Sequence, residues 1–152
     1  MVDSAAMRHP VLPVSRLELR ECLVKIVAAA GIGGACGSGS PVELRITSDR
    51  DIARLHRHHL GGMGPTNVLS FPATSESSHE ALQGSIIISA DAVIREAFLY
   101  GQDPRDHFIR LLTHALLHLA GFLHGPRMDA ITEQVVDLLR EDAQAPSSAA
   151  LL

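Results

Sequence analysis

Tryptophan is absent from this 152-residue chain, and aromatic residues make up only 3% of it. Any core must therefore be mostly aliphatic, and with 46% hydrophobic against 20% charged residues the balance is that of a globular protein. A basic excess is missing as well. The formal net charge of -4 argues against a generally basic nucleic-acid binder, although a local patch can still form, because a phosphate feels the nearby field. Cysteine is scarce: Cys22 and Cys36 stand alone, with no C-x-x-C pair, which fits a reducing cytosol. Cys22 lies within an amphipathic pattern, where a buried free thiol is expected. No apolar run approaches the roughly 18 residues of a membrane span. The opening MVDSAAMRHPVLP lacks a basic segment followed by an apolar stretch and a small-residue cleavage site. A soluble, cytoplasmic protein without a membrane partner is expected, and the length suits one compact domain rather than two.

What is present divides cleanly. Ser15 and Glu18 form an S-x-x-E capping box, after which Leu17, Leu23, Val24 and Val27 recur on one face as far as Gly31. Gly31 to Pro41, GIGGACGSGSP, reads as a connector without a phosphate-binding fingerprint. Val42, Leu44 and Ile46 alternate with polar neighbours in a half-buried strand, and Ser48 caps a helix running to about Leu60, ended by Gly61 and Gly62. Asn67–Pro72 and Gly84–Ser89 read as strands. Ser89 then caps a helix through Tyr100, Asp103 and Pro104 open another that ends at Gly121, and a last helix spans about Arg127 to Ala143. The expected fold is a single α+β domain: a small mixed sheet packed with about five helices, one of them central and metal-binding. Its bounds are a variable segment 1–14, a domain 15–143 and a frayed tail 144–152.

Within the fourth of these helices and the turn after it stands HALLHLAGFLHG, His114 to Gly125. Residues four apart on a helix share a face, so His114 and His118 can reach one ion. Gly121 can adopt the left-handed conformation that swings the chain back and returns His124 as a third ligand. Three neutral imidazoles leave a fourth tetrahedral position open, the arrangement of a catalytic rather than a structural zinc site. The cofactor expected is one divalent ion per chain, with zinc foremost and nickel or copper also acceptable to three imidazoles. The plainer alternative is three unrelated histidines against a leucine-rich core. His107 lies too far along the axis to join the set and is expected to be solvated or capping.

The spacing is that of H-E-x-x-H-x-x-G-x-x-H, the metzincin protease signature, but Ala115 occupies the position of its general-base glutamate. The run more closely resembles the YbeY family of bacterial rRNA maturation factors, whose H-G-x-L-H-L-x-G-Y-D-H is matched at His114, Leu117, His118, Leu119, Gly121 and His124. A second family stretch, P-T-[DN]-V-L-S-F-P, is similar to Pro65 through Pro72 without a break, and GSIIIS at Gly84–Ser89 looks like the family's G-D-I-V-I-S. The resemblance spans roughly Val42 to Arg140. It departs at Ala115 for glycine, Phe122 for tyrosine, Leu123 and Ser85 for aspartates, and Leu60 where many members carry an arginine.

The resemblance implies an α+β fold, a zinc-like ion on the three histidines, and endoribonuclease activity on single-stranded RNA in maturation of the small-subunit rRNA 3′ end and in ribosome quality control. Small-subunit ribosomal components are the implied partners. His114 is then catalytic as well as a ligand, and Gly121 and Ser70 are structural at the site. The run RLHRHHL offers Arg54, Arg57 and His59 as RNA contacts, arginine being suited to phosphate by its planar fork, with a solvated polar helix face as the plainer alternative. Arg57, three residues before Leu60, is the candidate to replace the family arginine in catalysis. A non-catalytic ribosome-assembly factor with a structural metal stays open as the alternative, and a metal-dependent protease as the third.

Overall fold

Three isoleucines in a row, Ile86, Ile87 and Ile88, are all buried, which is the mark of a strand covered on both faces. A computed structural model describes residues 16–32, 42–60, 66–72, 82 and 84–145, without the side chains of Arg16, Leu17, His59 and Leu60. Ser15 of the expected capping box, most of the glycine-rich connector, Gly61, Gly62, Pro65, the loop after Pro72, the first 14 residues and the tail beyond Ala145 lie outside the described residues. The described elements are α1 (Arg16–Ala30), β1 (Val42–Thr47), α2 (Asp49–Leu60), β2 (Val68–Pro72), β3 (Gly84–Ser89), α3 (Ala90–Leu99), α4 (Pro104–Leu119) and α5 (Pro126–Gln144).

The isoleucine strand β3 is the centre of a three-stranded sheet of order β1-β3-β2. It pairs with β1 in parallel, Val42 beside Gly84 through Thr47 beside Ser89, and with β2 antiparallel, Val68 opposite Ile88 and Pro72 opposite Gly84. Side chains alternate across the strand, so Ile86 and Ile88 go to one face with Leu44 and Ile46, while Ile87 goes to the other. The first face meets α1, α4 and α5 in the main core, where Ile26, Ile109, Leu112, Leu116, Leu117 and Val136 are buried. Burying each such side chain stabilises by about 1.5–3 kcal/mol. Across the sheet, Ile52 and Leu55 of α2 pack on Leu69, Phe71 and Ile87. The domain is thus an α+β sandwich of helix, mixed sheet and helices, and α4 touches β2, β3, α1, α3 and α5. The expected central place of the histidine helix is what the fold shows.

One expectation is corrected in α1. Val24 does not face the core; it is 64% exposed, and the buried stripe of the helix runs through Leu19, Cys22 and Ile26 instead, with Leu23 and Val27 at its margin. Val24 sits five residues after Leu19, about 140° around the axis at roughly 100° per residue. Cys22 is buried as expected, and burial pushes its thiol pKa up, which makes it a poor nucleophile.

Gly84, where β3 begins, has φ +149, and a Cβ there would collide with Phe71 O and meet Leu119 Cδ2 at 2.8 Å. Its lack of a side chain is what lets the end of α4 settle onto the β2–β3 edge. At the opposite end of the strand, Ser89 caps α3 by accepting from Ala92 N at 3.1 Å and donates to Asp49 Oδ1 at 2.8 Å. That hydroxyl therefore joins the start of α2 to the start of α3. Among the described residues no helix is long and apolar enough to cross a membrane.

Candidate metal centre

The helix that carries two of the histidines is fixed at both ends. Asp103 accepts from Arg105 N at 2.9 Å and Asp106 N at 3.2 Å, and Pro104 fills the first helical position, where a missing N–H costs nothing. At the far end Gly121, with φ +93, closes a Schellman turn: Gly121 N donates to His118 O at 3.0 Å and Phe122 N to Leu117 O at 2.9 Å. The reversal aims the Phe122 carbonyl back at the helix, and His118 Nδ1 donates to it at 3.2 Å. The chain then brings His124 to the same place before α5 begins at Pro126.

The three rings lie beside one another at the turn. Ring centroids of His118 and His124 lie 4.4 Å apart, those of His114 and His124 5.7 Å, and those of His114 and His118 6.2 Å. The Nε2 atoms of His118 and His124 are 3.1 Å apart. Two nitrogens on one tetrahedral zinc, each about 2.0–2.1 Å from it, are separated by about 3.3 Å. Two of the three candidates thus already stand near ligand spacing. His114 stands further off, and among the described residues no three His, Cys, Asp or Glu side chains close into a metal-holding group as the structure stands.

Hydrogen bonds suit two of these rings for coordination through Nε2. A carbonyl can only accept, so the bond to Phe122 O puts the hydrogen of neutral His118 on Nδ1 and the lone pair on Nε2. His114 Nδ1 lies 3.3 Å from Thr132 Oγ1, whose hydroxyl donates to Met128 O at 2.8 Å. Burial, then the neighbouring His124, pushes the His114 pKa below its ordinary value, against the opposing pull of Asp129. The shift favours the neutral ring, the state in which imidazole binds a cation. The Asp129 carboxylate stands 3.9 Å from His114 Nε2. The chemistry of the donor set suits a divalent ion; His118 and His124 stand near ligand spacing, and His114 is the candidate with furthest to close.

Thr132, Asp129 and the Phe122 carbonyl are additions that the sequence alone does not bring to the site. Thr132 leaves a faint signal, as a lone hydroxyl in the otherwise apolar buried stripe Met128, Val135, Val136 and Leu139 of α5. Two arginine–carboxylate pairs hold α5 against α4: Arg110 to Glu133 at 2.7 Å and Arg140 to Asp106 at 2.9 Å.

His107 corrects another expectation. Far from being solvated or capping, it is buried, with Nε2 2.7 Å from Glu96 Oε2, and Glu96 also accepts from Asn67 Nδ2 at 3.2 Å. This polar group ties α4 to α3 and to the start of β2, apart from the histidine cluster.

The remaining candidates fall elsewhere. Ser70 lies on β2 opposite Ile86 and thus on the α4 side of the sheet, with no side-chain hydrogen bond to the histidines among the described residues. Arg54 and Arg57 are exposed on α2, across the sheet from α4, and neither contacts the cluster through a hydrogen bond or ion pair among the described residues. His59 is on the last turn of α2, and its side chain lies outside what the structure describes. Ala115, at the position that carries the metzincin glutamate, is 1% exposed within the core and offers no carboxylate to the rings.

A central histidine helix under a mixed sheet, its turn returning a third imidazole, defines an α+β domain with a candidate metal centre. Residues 7–140 match the family model described as endoribonuclease YbeY, and the chain belongs to that family. A relative from Oleidesulfovibrio alaskensis described as endoribonuclease YbeY is 40% identical over 88% of each chain. One from Nitratidesulfovibrio vulgaris with the same description is 37% identical over 88% of this chain and 90% of its own. The solution structure of a Thermotoga maritima protein shares the fold at a TM-score of 0.55 and 22% identity, covering 87% of this chain and 89% of the other.

Proposed function

We propose that the protein is a metal-dependent endoribonuclease that cuts single-stranded RNA, acting in the cytoplasm in maturation of the small-subunit rRNA 3′ end and in ribosome quality control, with small-subunit ribosomal components as partners. The observation that carries the reading is the gathering of His114, His118 and His124 at the turn of Gly121, in a chain of the endoribonuclease YbeY family. The three imidazoles are the proposed ligands of one divalent ion, zinc foremost. When bound, such an ion supplies Lewis-acid charge at the phosphodiester under attack.

The chain's own part is positional and electrostatic. His118 is oriented by the Phe122 carbonyl, and α5 faces the cluster with the exposed Asp129 carboxylate, which can accept a hydrogen bond from a water or ribose hydroxyl there. Arg54, Arg57 and His59 on α2 are proposed to hold RNA phosphates away from the reacting bond.

A second reading, an assembly factor whose metal is structural, draws on Leu123, an aliphatic residue 85% exposed beside His124 where the family motif carries an acid. A cleavage assay on precursor rRNA with metal-stripped and metal-reconstituted protein separates the two. Cleavage restored by the ion supports the nuclease. Ribosomal-particle binding without metal-dependent cleavage supports the assembly factor.

A further inference from the structure

The hydroxyl of Thr132 has one proton, and its geometry says where that proton goes. Thr132 Oγ1 is 2.8 Å from Met128 O, four residues earlier on α5, which is the usual acceptor for a helical threonine, and 3.3 Å from His114 Nδ1 on α4. A carbonyl oxygen cannot donate. The Met128 contact therefore uses the hydroxyl proton, and toward His114 only the lone pairs of Oγ1 remain. Thr132 is 1% exposed, so no bulk water competes for its oxygen.

We propose that Thr132 is a positioning residue for the metal centre: by accepting from His114 Nδ1–H it fixes His114 in the tautomer that leaves its Nε2 lone pair free to coordinate. The proposal rests on the metal reading above for its purpose, but not for its geometry. Phe122 O does the same for His118 from the turn, so the two helical ligands are set by two different parts of the chain, one from α5 and one from the loop. The tautomer of a ligating histidine is fixed by what its other nitrogen meets, and loss of such a partner lowers metal affinity by about 10–100-fold. Because Thr132 stands on α5, the docking of α5 on α4 becomes a condition for the His114 ligand to be ready. The Arg110–Glu133 pair, one residue further along α5, maintains that docking.

The test has two arms on the full-length protein. In the first, long-range 1H–15N correlation spectra of metal-free, 15N-labelled protein read the hydrogen position on each ring. His114 in the Nδ1–H form is expected, and an Nε2–H form overturns the proposal. In the second, zinc affinity is measured by competition with a chromophoric chelator for wild type, Thr132→Val and Thr132→Ser. Thr132→Val keeps the shape and removes the acceptor, so its zinc dissociation constant should rise about 10–100-fold with a mixture of His114 tautomers. Thr132→Ser restores the oxygen and should stay within about threefold of wild type, well inside the loss expected for a missing partner. Equal affinity and an unchanged tautomer in Thr132→Val overturn the inference, as does a serine variant as weak as the valine one. Should Thr132→Val not fold, the wild-type spectrum and the serine variant still decide. A wild type that binds no zinc sinks the metal reading, and the tautomer arm alone then judges Thr132.

Discussion

His118 Nε2 faces His124 Nε2 at 3.1 Å across the turn closed by Gly121. Without an ion, His118 already presents its lone pair there, so the contact is a hydrogen bond donated by His124 Nε2. With the His124 hydrogen moved to Nδ1, both Nε2 atoms would offer lone pairs at this spacing, and they could hold an ion with little movement of either ring. Elemental analysis after gentle purification should find one divalent ion per chain, and His114→Ala/His118→Ala/His124→Ala should find none. A triple variant that keeps full, tight stoichiometry would remove these residues from the site.

The depressed pKa of His114 gives the stability of the metal-free protein a sign. A folded-state value below the ordinary 6.5 means that the folded chain holds fewer protons than the unfolded one. The stability this contributes is fully present above about pH 6.5 and is lost as the pH falls through the lower folded value. Urea midpoints of metal-free wild type should therefore drop in that window, and those of His114→Gln should drop less. Metal affinity should weaken over the same acidic range, because only the neutral ring coordinates. Parallel urea curves for the two proteins would contradict the assignment.

Two glycines should respond differently to alanine. Gly121 has open space around it, so Gly121→Ala meets only the penalty of its positive φ, about 1–2 kcal/mol. Gly84→Ala adds a collision with the Phe71 carbonyl and the end of Leu119, and it should be the more destabilising of the two. Because Leu119 follows His118 in the chain, Gly84→Ala should also weaken zinc binding. Chemical denaturation with a chelator-competition titration checks both, and the reverse order of stabilities would refute the packing argument.

Local signals make much of this fold legible. Ser89, Asp103 with Pro104, and Gly121 each satisfy a helix end through their own chemistry, so α3 and α4 can be bounded from sequence. The alternation in β1 and the bounded apolar run of β3 work likewise. What stays hidden is non-local. His107 looks free because its partner, Glu96, comes from another helix, and Thr132 meets His114 only after α5 docks on α4. Val24 misleads for a different reason: in an aliphatic-rich helix, apolar character alone does not say which stripe faces inward. The histidine trio is visible because two members share a helical face and the third follows one glycine turn.

Arg57 gives the last test, since sequence and fold assign it different parts. Its position before Leu60 suggests a substitute for the family arginine at the reacting phosphate. The fold instead sets α2 on the Leu69–Ile87 face, with α4 and its histidines on the other, and leaves Arg57 exposed. An exposed guanidinium on the far layer is suited to hold a phosphate further along the strand. A contact of that kind is made equally in the ground state and the transition state, so it raises KM when lost and spares kcat. Arg57→Ala should therefore weaken RNA binding and kcat/KM by the same few-fold factor, with a shallower salt dependence and an unchanged turnover rate. Single-turnover cleavage at saturating RNA, alongside equilibrium binding, measures both. If Arg57→Ala instead slows cleavage by about 100-fold or more with binding intact, the loss is that of a transition-state charge, and Arg57 returns to the reaction centre.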